Sequence, residues 1–275
     1  MADHRRLGAL REVTPASSPG TSGSVRSKDG TPIGFLRLGS GPPLVMVHGS
    51  LGVAEIWLAV ANLLADRSTC YLMDRRGRGR SGDSPDYAIE REYEDIAAVL
   101  AVAGDQLRLL GHSYGAVCAL GAALEAPVDR LILYEPPAGV TFGPEVDDYR
   151  NAIAAGDSGK ALEIGLTRIV GVPQEQFDAV RSSPMWPLFQ ALAPGWVREM
   201  EQITRLGTNL DRYRAIKTPT LMLLGSDSSD GLKAATAGVS KMLPNVLVSQ
   251  LTGQGHSAQR TAPELVAQRV SEFLA

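Results

Sequence analysis

The stretch "LRLLGHSYGAV", Leu107–Val117, carries an apolar run straight into Gly111-His112-Ser113-Tyr114-Gly115 and then into small helix formers. It admits two readings: a serine held on a sharp strand-to-helix turn, or a glycine turn in which the serine merely caps a helix. Gly-x-Ser-x-Gly alone is a weak signal, so its surroundings decide. The first reading requires an apolar strand ending at Gly111 and a helix starting just after Ser113. The pattern predicts both, a strand over Leu107–Leu110 and a helix over 115–125. Glycines at 111 and 115 let the chain turn sharply and let strand and helix approach. Ser113 then stands exposed above the strand end as the candidate nucleophile. The helix N-terminus aims the N–H of Tyr114 at any oxyanion formed there.

Outward from this turn, short apolar runs alternate with helical patterns, which predicts a mostly parallel sheet flanked by helices. Candidate strands are Ile33–Leu38, Leu44–Val47, Thr69–Met73, Leu107–Leu110, Leu131–Tyr134, Leu221–Leu224 and Val246–Leu251. Their near-continuous Leu, Val, Ile and Met content suits strands buried on both faces. Helices are predicted at about 54–66, 88–103, 115–125, 232–243 and 263–274, the last with Pro263 in its first turn. Residues 1–23 end in "TPASSPGTSG", which supplies no buried face, and are expected to form a disordered arm. The alternation stops between Pro136 and Thr218. Those roughly 80 residues are too long for a plain loop and show helical periodicity at Ile153, Leu162, Ile164, Leu166 and Ile169. The expected organisation is a core of 24–137 and 217–275 with a helical cap inserted at 138–216.

Composition narrows the classes. With 275 residues, 44% hydrophobic and 21% charged, and a net charge of -3, the chain reads as globular, without a broad basic face for nucleic acid or anionic membrane. No segment approaches a membrane span. Cys70 and Cys118 sit in a predicted strand and helix without metal-like spacing, which fits a reducing cytoplasm. No metal or other cofactor is expected.

A serine hydroxyl needs a base, and histidine is the usual one near neutral pH. Of four histidines, His4 lies in the arm, His48 ends a strand and reads as structural, and His112 adjoins Ser113 and is expected to point away from it. His256, in "LTGQGHSAQ" directly after the last strand, remains as the base, on a loop freed by Gly253 and Gly255. "VHGSLG" follows an early strand and offers the N–H of Ser50 as a second oxyanion donor.

These residues resemble the alpha/beta-hydrolase superfamily over nearly all of 24–275. The resemblance rests on His48-Gly49, Gly-His-Ser-Tyr-Gly at 111–115, Gly-x-Gly-His ending at 256, and "DRRGRGRS" from Asp74 to Ser81. It implies a roughly eight-stranded sheet with a helical lid, and it gives the basic run Arg75–Arg80 a structural role in a turn rather than a role in nucleic-acid binding. Serine at the elbow argues against the aspartate-using haloalkane dehalogenases and epoxide hydrolases of the superfamily. The triad acid stays open. Members usually place an aspartate three residues past the glycine of "LLG", but here that position is Ser228, with Asp227 one place early. The strand "LILYEPP" ends instead in Glu135, followed by two prolines that restrict the backbone. Otherwise Glu135 would pair with an arginine and Asp227 would cap the helix near Gly231.

Large apolar residues of the insertion, Phe142, Tyr149, Phe177, Met185, Trp186, Phe189, Trp196 and Met200, divide between its own core and a ligand pocket, with Trp186 and Trp196 as candidate substrate contacts. The expected partner is an uncharged, hydrophobic or aromatic acyl small molecule. The expected reaction is hydrolysis of an ester, lactone or thioester through an acyl-enzyme. Carbon–carbon bond hydrolysis or biosynthetic thioesterase and cyclase chemistry would use the same triad. A ligand-binding homologue without turnover is the alternative of another class.

Overall fold

The computed structural model describes residues 20–275. Eight strands form one sheet in the order β1-β2-β4-β3-β5-β6-β7-β8. They are β1 (Thr21–Arg26), β2 (Pro32–Gly39), β3 (Pro43–Val47), β4 (Thr69–Met73), β5 (Arg108–His112), β6 (Arg130–Tyr134), β7 (Thr220–Gly225) and β8 (Val246–Leu251). The pairs β1–β2 and β2–β4 are antiparallel and all the others are parallel.

The period of two along each central strand sends side chains alternately to two apolar layers. In β3, Val45 and Val47 join one layer, and Leu44 and Met46 the other. The first layer is closed by α2 (Ile89–Ala103), α3 (Tyr114–Glu125) and α8 (Asp230–Met242), the second by α1 (Leu58–Leu64) and α10 (Pro263–Leu274). This double cover explains why β3 and β4 are buried at every position. In α10, Val266 and Val270 are buried, with Leu265, Phe273 and Leu274 packed beside them, so one apolar stripe of the helix faces the sheet.

Two expectations need correction. β1 carries no sequence signal, because "TSGSVR" leaves no residue fully buried and pairs only at the sheet edge. Thr21, Ser22 and Gly23, assigned to the arm, therefore belong to β1; residues 1–19 of that arm lie outside the described residues. The strand before Ser113 also runs on to His112, where Gly111 and His112 still pair with Leu133 and Tyr134.

Between β6 and β7 lie four α-helices, α4 (Glu145–Ala154), α5 (Ser158–Glu163), α6 (Gln174–Arg181) and α7 (Trp186–Leu206), together with a π-helical stretch at Ile164–Ile169 and a 3-10 turn at Asp211–Ala215. Asp157 caps α5, its carboxylate accepting from the Lys160 N–H at 2.8 Å. Their apolar residues form a third cluster around Tyr149, Leu162, Phe189, Ala193 and Met200. α9 (Ala258–Thr261) follows the loop that carries His256. Among the described residues, no helix is long and apolar enough to cross a membrane.

Candidate active site

Ser113 sits between β5 and α3 at φ 54°, ψ -125°, a backbone conformation that non-glycine residues rarely adopt. Its N–H donates to the Tyr134 carbonyl at 2.8 Å and its own carbonyl accepts from Ala116 N–H at 2.9 Å, so neighbouring elements hold the strained residue at both ends. The flanking glycines are there for space. A Cβ at 115 would lie 2.7 Å from the Val47 carbonyl oxygen and closer still to that of His48; one at 111 would lie 2.7 Å from the Ala116 Cα. The elbow is a close crossing of three backbones.

His256 is brought to the same cavity as Ser113. Its loop is pinned by Tyr134, whose hydroxyl donates to the Gly255 carbonyl and accepts from the Ala258 N–H at 3.1 Å. The imidazole Nδ1 lies 2.6 Å from Glu135 Oε2. Glu135 is fully buried, at φ 48°, and its Oε1 accepts from the Gly225 N–H at 2.7 Å and the Ser228 hydroxyl at 2.5 Å. Three donors therefore converge on one carboxylate and fix it toward the ring. Asp227, by contrast, is exposed and accepts from the Ser226 hydroxyl at 2.8 Å. Neither does it cap α8, whose N-cap is Ser229 without a side-chain bond. Ser228, which occupies the position where the resemblance puts an aspartate, supplies a donor to Glu135 instead. That donor could be found in the sequence only by asking what a carboxylate at 135 would need.

The remaining histidines differ. His48 accepts the Arg75 N–H on Nε2 at 3.1 Å, so Nδ1 carries the proton and donates to the Gly49 carbonyl at 2.7 Å. Burial, then the Arg75 charge, holds its pKa well below 6.5. His112 does not leave the site: it lines the cavity, its ring centre is 4.5 Å from that of His256, and its Nε2 donates to the His256 carbonyl at 2.8 Å. Burial, then nearby His256, depresses its pKa well below 6.5 as well.

Ser50 lines the cavity, and Tyr114 opens α3, where helix N–H groups lack intrahelical partners. Both backbone positions are braced by Arg75. Its guanidinium donates to the Gly49 carbonyl at 3.3 Å, stacks 4.6 Å from the Tyr114 ring centre, and is buried between Glu92 at 2.7 Å and Glu199 of α7 at 2.8 Å. Arg78 joins Glu199 at 2.9 Å, and Arg76 pairs with Asp95 through two bonds of 2.7 Å. Arg75, Arg76 and Arg78 are thus consumed inside the protein, while Arg80, at the surface, pairs with Asp74 and Glu55.

A profile of the alpha/beta hydrolase family matches residues 44–269. The chain belongs to the alpha/beta hydrolase family. It is similar, at 34% identity and a TM-score of 0.84, to an alpha/beta hydrolase from Sphaerobacter thermophilus, over 92% of this chain and 100% of that one. It is 27% identical to 2-(acetamidomethylene)succinate hydrolase of Mesorhizobium japonicum, over 86% of this chain and 89% of that protein. It is 29% identical to N-formylmaleamate deformylase of Pseudomonas putida, over 81% and 85%. This alpha/beta hydrolase is accordingly a hydrolytic enzyme.

The cavity of the alpha/beta hydrolase measures about 850 Å³ and is lined mostly by apolar side chains of the β6–β7 segment and α8. Trp196 lines it, together with Phe142 and Phe189. Trp186 does not. It packs edge-on against Phe177, ring centres 5.9 Å apart, within the cluster of the inserted helices, which corrects its expected place in the pocket. Spacing could not separate the two tryptophans, because both fall on α7 and only its direction across the cavity mouth decides.

Proposed function

We propose that the chain is a serine hydrolase that cleaves an ester, lactone or thioester of a hydrophobic small acyl compound through an acyl-enzyme. The observation that carries this reading is the meeting of the strained Ser113 and the Glu135-bound His256 at one apolar cavity. Glu135 holds the His256 proton on Nδ1, leaving Nε2 as the acceptor. Ser113 Oγ attacks the carbonyl carbon while Nε2 takes its proton. The backbone N–H groups of Ser50 and Tyr114 receive the developing oxyanion. The imidazolium, stabilised by Glu135, then protonates the departing oxygen or sulfur. Water entering after it gives its proton to His256 and attacks the acyl-serine, and the acid leaves with Ser113 regenerated. The helices α4–α7 act as a cap whose apolar side chains receive the acyl group. A role limited to ligand binding is disfavoured, since neither nucleophile nor base is missing.

A second reading, cleavage of an amide-type C–N bond by the same steps, is supported by the relative named N-formylmaleamate deformylase. The decisive assay pairs p-nitrophenyl esters of increasing acyl length, a lactone and an acyl thioester with an N-formyl amide. Ser113→Ala should abolish turnover of whichever probe is cleaved, with the melting curve retained, and a fluorophosphonate should label Ser113 alone. Activity surviving in the alanine variant refutes the acyl-enzyme.

A further inference from the structure

The cavity above Ser113 carries an unbalanced charge. No aspartate or glutamate is among its lining residues, yet two arginines, Arg168 and Arg260, are. Glu135 stands behind His256, fully buried, with its oxygens taken by His256, Gly225 and Ser228. Arg168 is neutralised by Asp148 at 2.8 Å. Arg260 is different. Among the described residues no carboxylate neutralises it, and its guanidinium carbon lies 5.9 Å from the centre of the Phe189 ring. Desolvation draws its pKa down from 12.5 with no neighbouring charge to oppose the shift.

Position gives this charge a use. Arg260 belongs to α9, four residues beyond His256, and reaches toward Phe189 on α7, so it stands where the catalytic loop meets the inserted helices. Arg260 is exposed to solvent on one side, but where its guanidinium faces the apolar wall it has lost part of its hydration, and low-dielectric walls focus its field into the cavity. Both effects favour an incoming anion. The planar fork of donors suits a carboxylate in particular, which it can hold through two parallel bonds.

We propose that the substrate of this site carries a carboxylate, held by Arg260, while the rest of the molecule packs against the apolar wall. This rests on the acyl-transfer reading of Ser113 and names its substrate class, an amphiphilic acyl compound in place of the wholly uncharged one the sequence suggested. The carboxylate can sit on the acyl half or on the departing half, because both pass His256.

The test uses Ser113→Ala protein, in which binding is read without turnover. Three probes are titrated calorimetrically: phenyl hexanoate, the monophenyl ester of adipic acid, and 4-carboxyphenyl hexanoate. One of the two charged probes should bind at least about tenfold tighter than the neutral one. Arg260→Gln in the same background should bring that ratio close to one, Arg260→Lys should keep part of it, and about 1 M salt should erode it in the parent. Which charged probe wins assigns the carboxylate to its half. The proposal is overturned if neither charged probe outbinds the neutral one, if the preference survives Arg260→Gln, or if it collapses in Arg168→Gln instead. Turnover of the same probes by the wild-type enzyme separates the two readings. Charge-selective binding without cleavage leaves the anion site standing and removes the ester reading; cleavage with no charge preference does the reverse.

Discussion

Replacing Glu135 by glutamine changes almost no volume, and the hydrogen bonds around the carboxylate fix what must follow. Oε1 accepts from the Gly225 N–H at 2.7 Å and the Ser228 hydroxyl at 2.5 Å, while Oε2 faces His256 Nδ1 at 2.6 Å. An amide has one accepting oxygen. Turned toward His256, it would drive its NH₂ against the Gly225 N–H in a fully buried site, a donor clash costing about 1–3 kcal/mol. Turned toward Gly225, it keeps both Oε1 bonds and presents NH₂ to Nδ1, which must then accept. The second arrangement is the cheaper one, and it moves the imidazole proton to Nε2, where the Ser113 proton was to go. Stability should therefore fall by only about 1–2 kcal/mol, whereas kcat should fall about 10³- to 10⁴-fold, or roughly 4–5.5 kcal/mol of barrier. Initial rates on a p-nitrophenyl ester, beside a melting curve, read both quantities. Asp227→Asn is the control: its carboxylate is exposed and turned to Ser226, so kcat should stay within about twofold. A Glu135→Gln enzyme within tenfold of wild type, or a larger loss in Asp227→Asn, would refute the reasoning.

Gly115→Ala should destabilise by about 3 kcal/mol or more, because the roughly 1 kcal/mol that alanine gains in a helix is outweighed by a Cβ driven into the Val47 and His48 carbonyls; Gly231→Ala in α8, where a Cβ meets nothing within 4 Å, should raise the melting temperature. Acid should weaken the fold through His48 and His112, whose folded pKa values lie well below the 6.5 of the unfolded chain. The unfolded state then binds the extra protons, so stability is complete above pH 6.5 and falls below it, by about 1.4 kcal/mol per histidine at pH 5.5; urea midpoints across pH 5.5–7.5 that stay flat would contradict this. Trp196→Ala should change acyl-chain preference, whereas Trp186→Ala should lower stability by up to about 3 kcal/mol and leave that preference alone, which kcat/KM ratios across the ester series and melting curves together resolve.

The elbow was legible because every requirement it makes is local. An apolar strand, two glycines and a helix start lie within eleven residues, and the backbone conformation of Ser113 follows from that order. The layers were legible for a similar reason, since strands covered on both faces must be apolar throughout and α10 must show one apolar stripe. β1 was not, because an edge strand with Ser, Gly and Arg takes its place from the hydrogen bonds of β2 rather than from burial.

The sequence by itself determined the order of the core strands and helices apart from β1, the turn that carries Ser113, and, by elimination, the histidine that shares its cavity. It left two carboxylates open as the acid. Only the tertiary structure shows which of them meets His256: β6 ends beside β7, so a carboxylate at 135 meets the Gly225 N–H, the Ser228 hydroxyl and a histidine 121 residues away, while Asp227 turns to solvent. The same holds for Arg260. Some arginines pair locally, as Arg269 does with Glu272, but others depend on acids the fold brings from far along the chain: Glu199 meets Arg75 across 124 residues, whereas no described carboxylate is brought to Arg260. Hydrogen-bond and apolar periodicity are short-range and written in the sequence; the partners that Arg75 finds in Glu199 and His256 finds in Glu135 are long-range contacts, and they exist only once the sheet has closed.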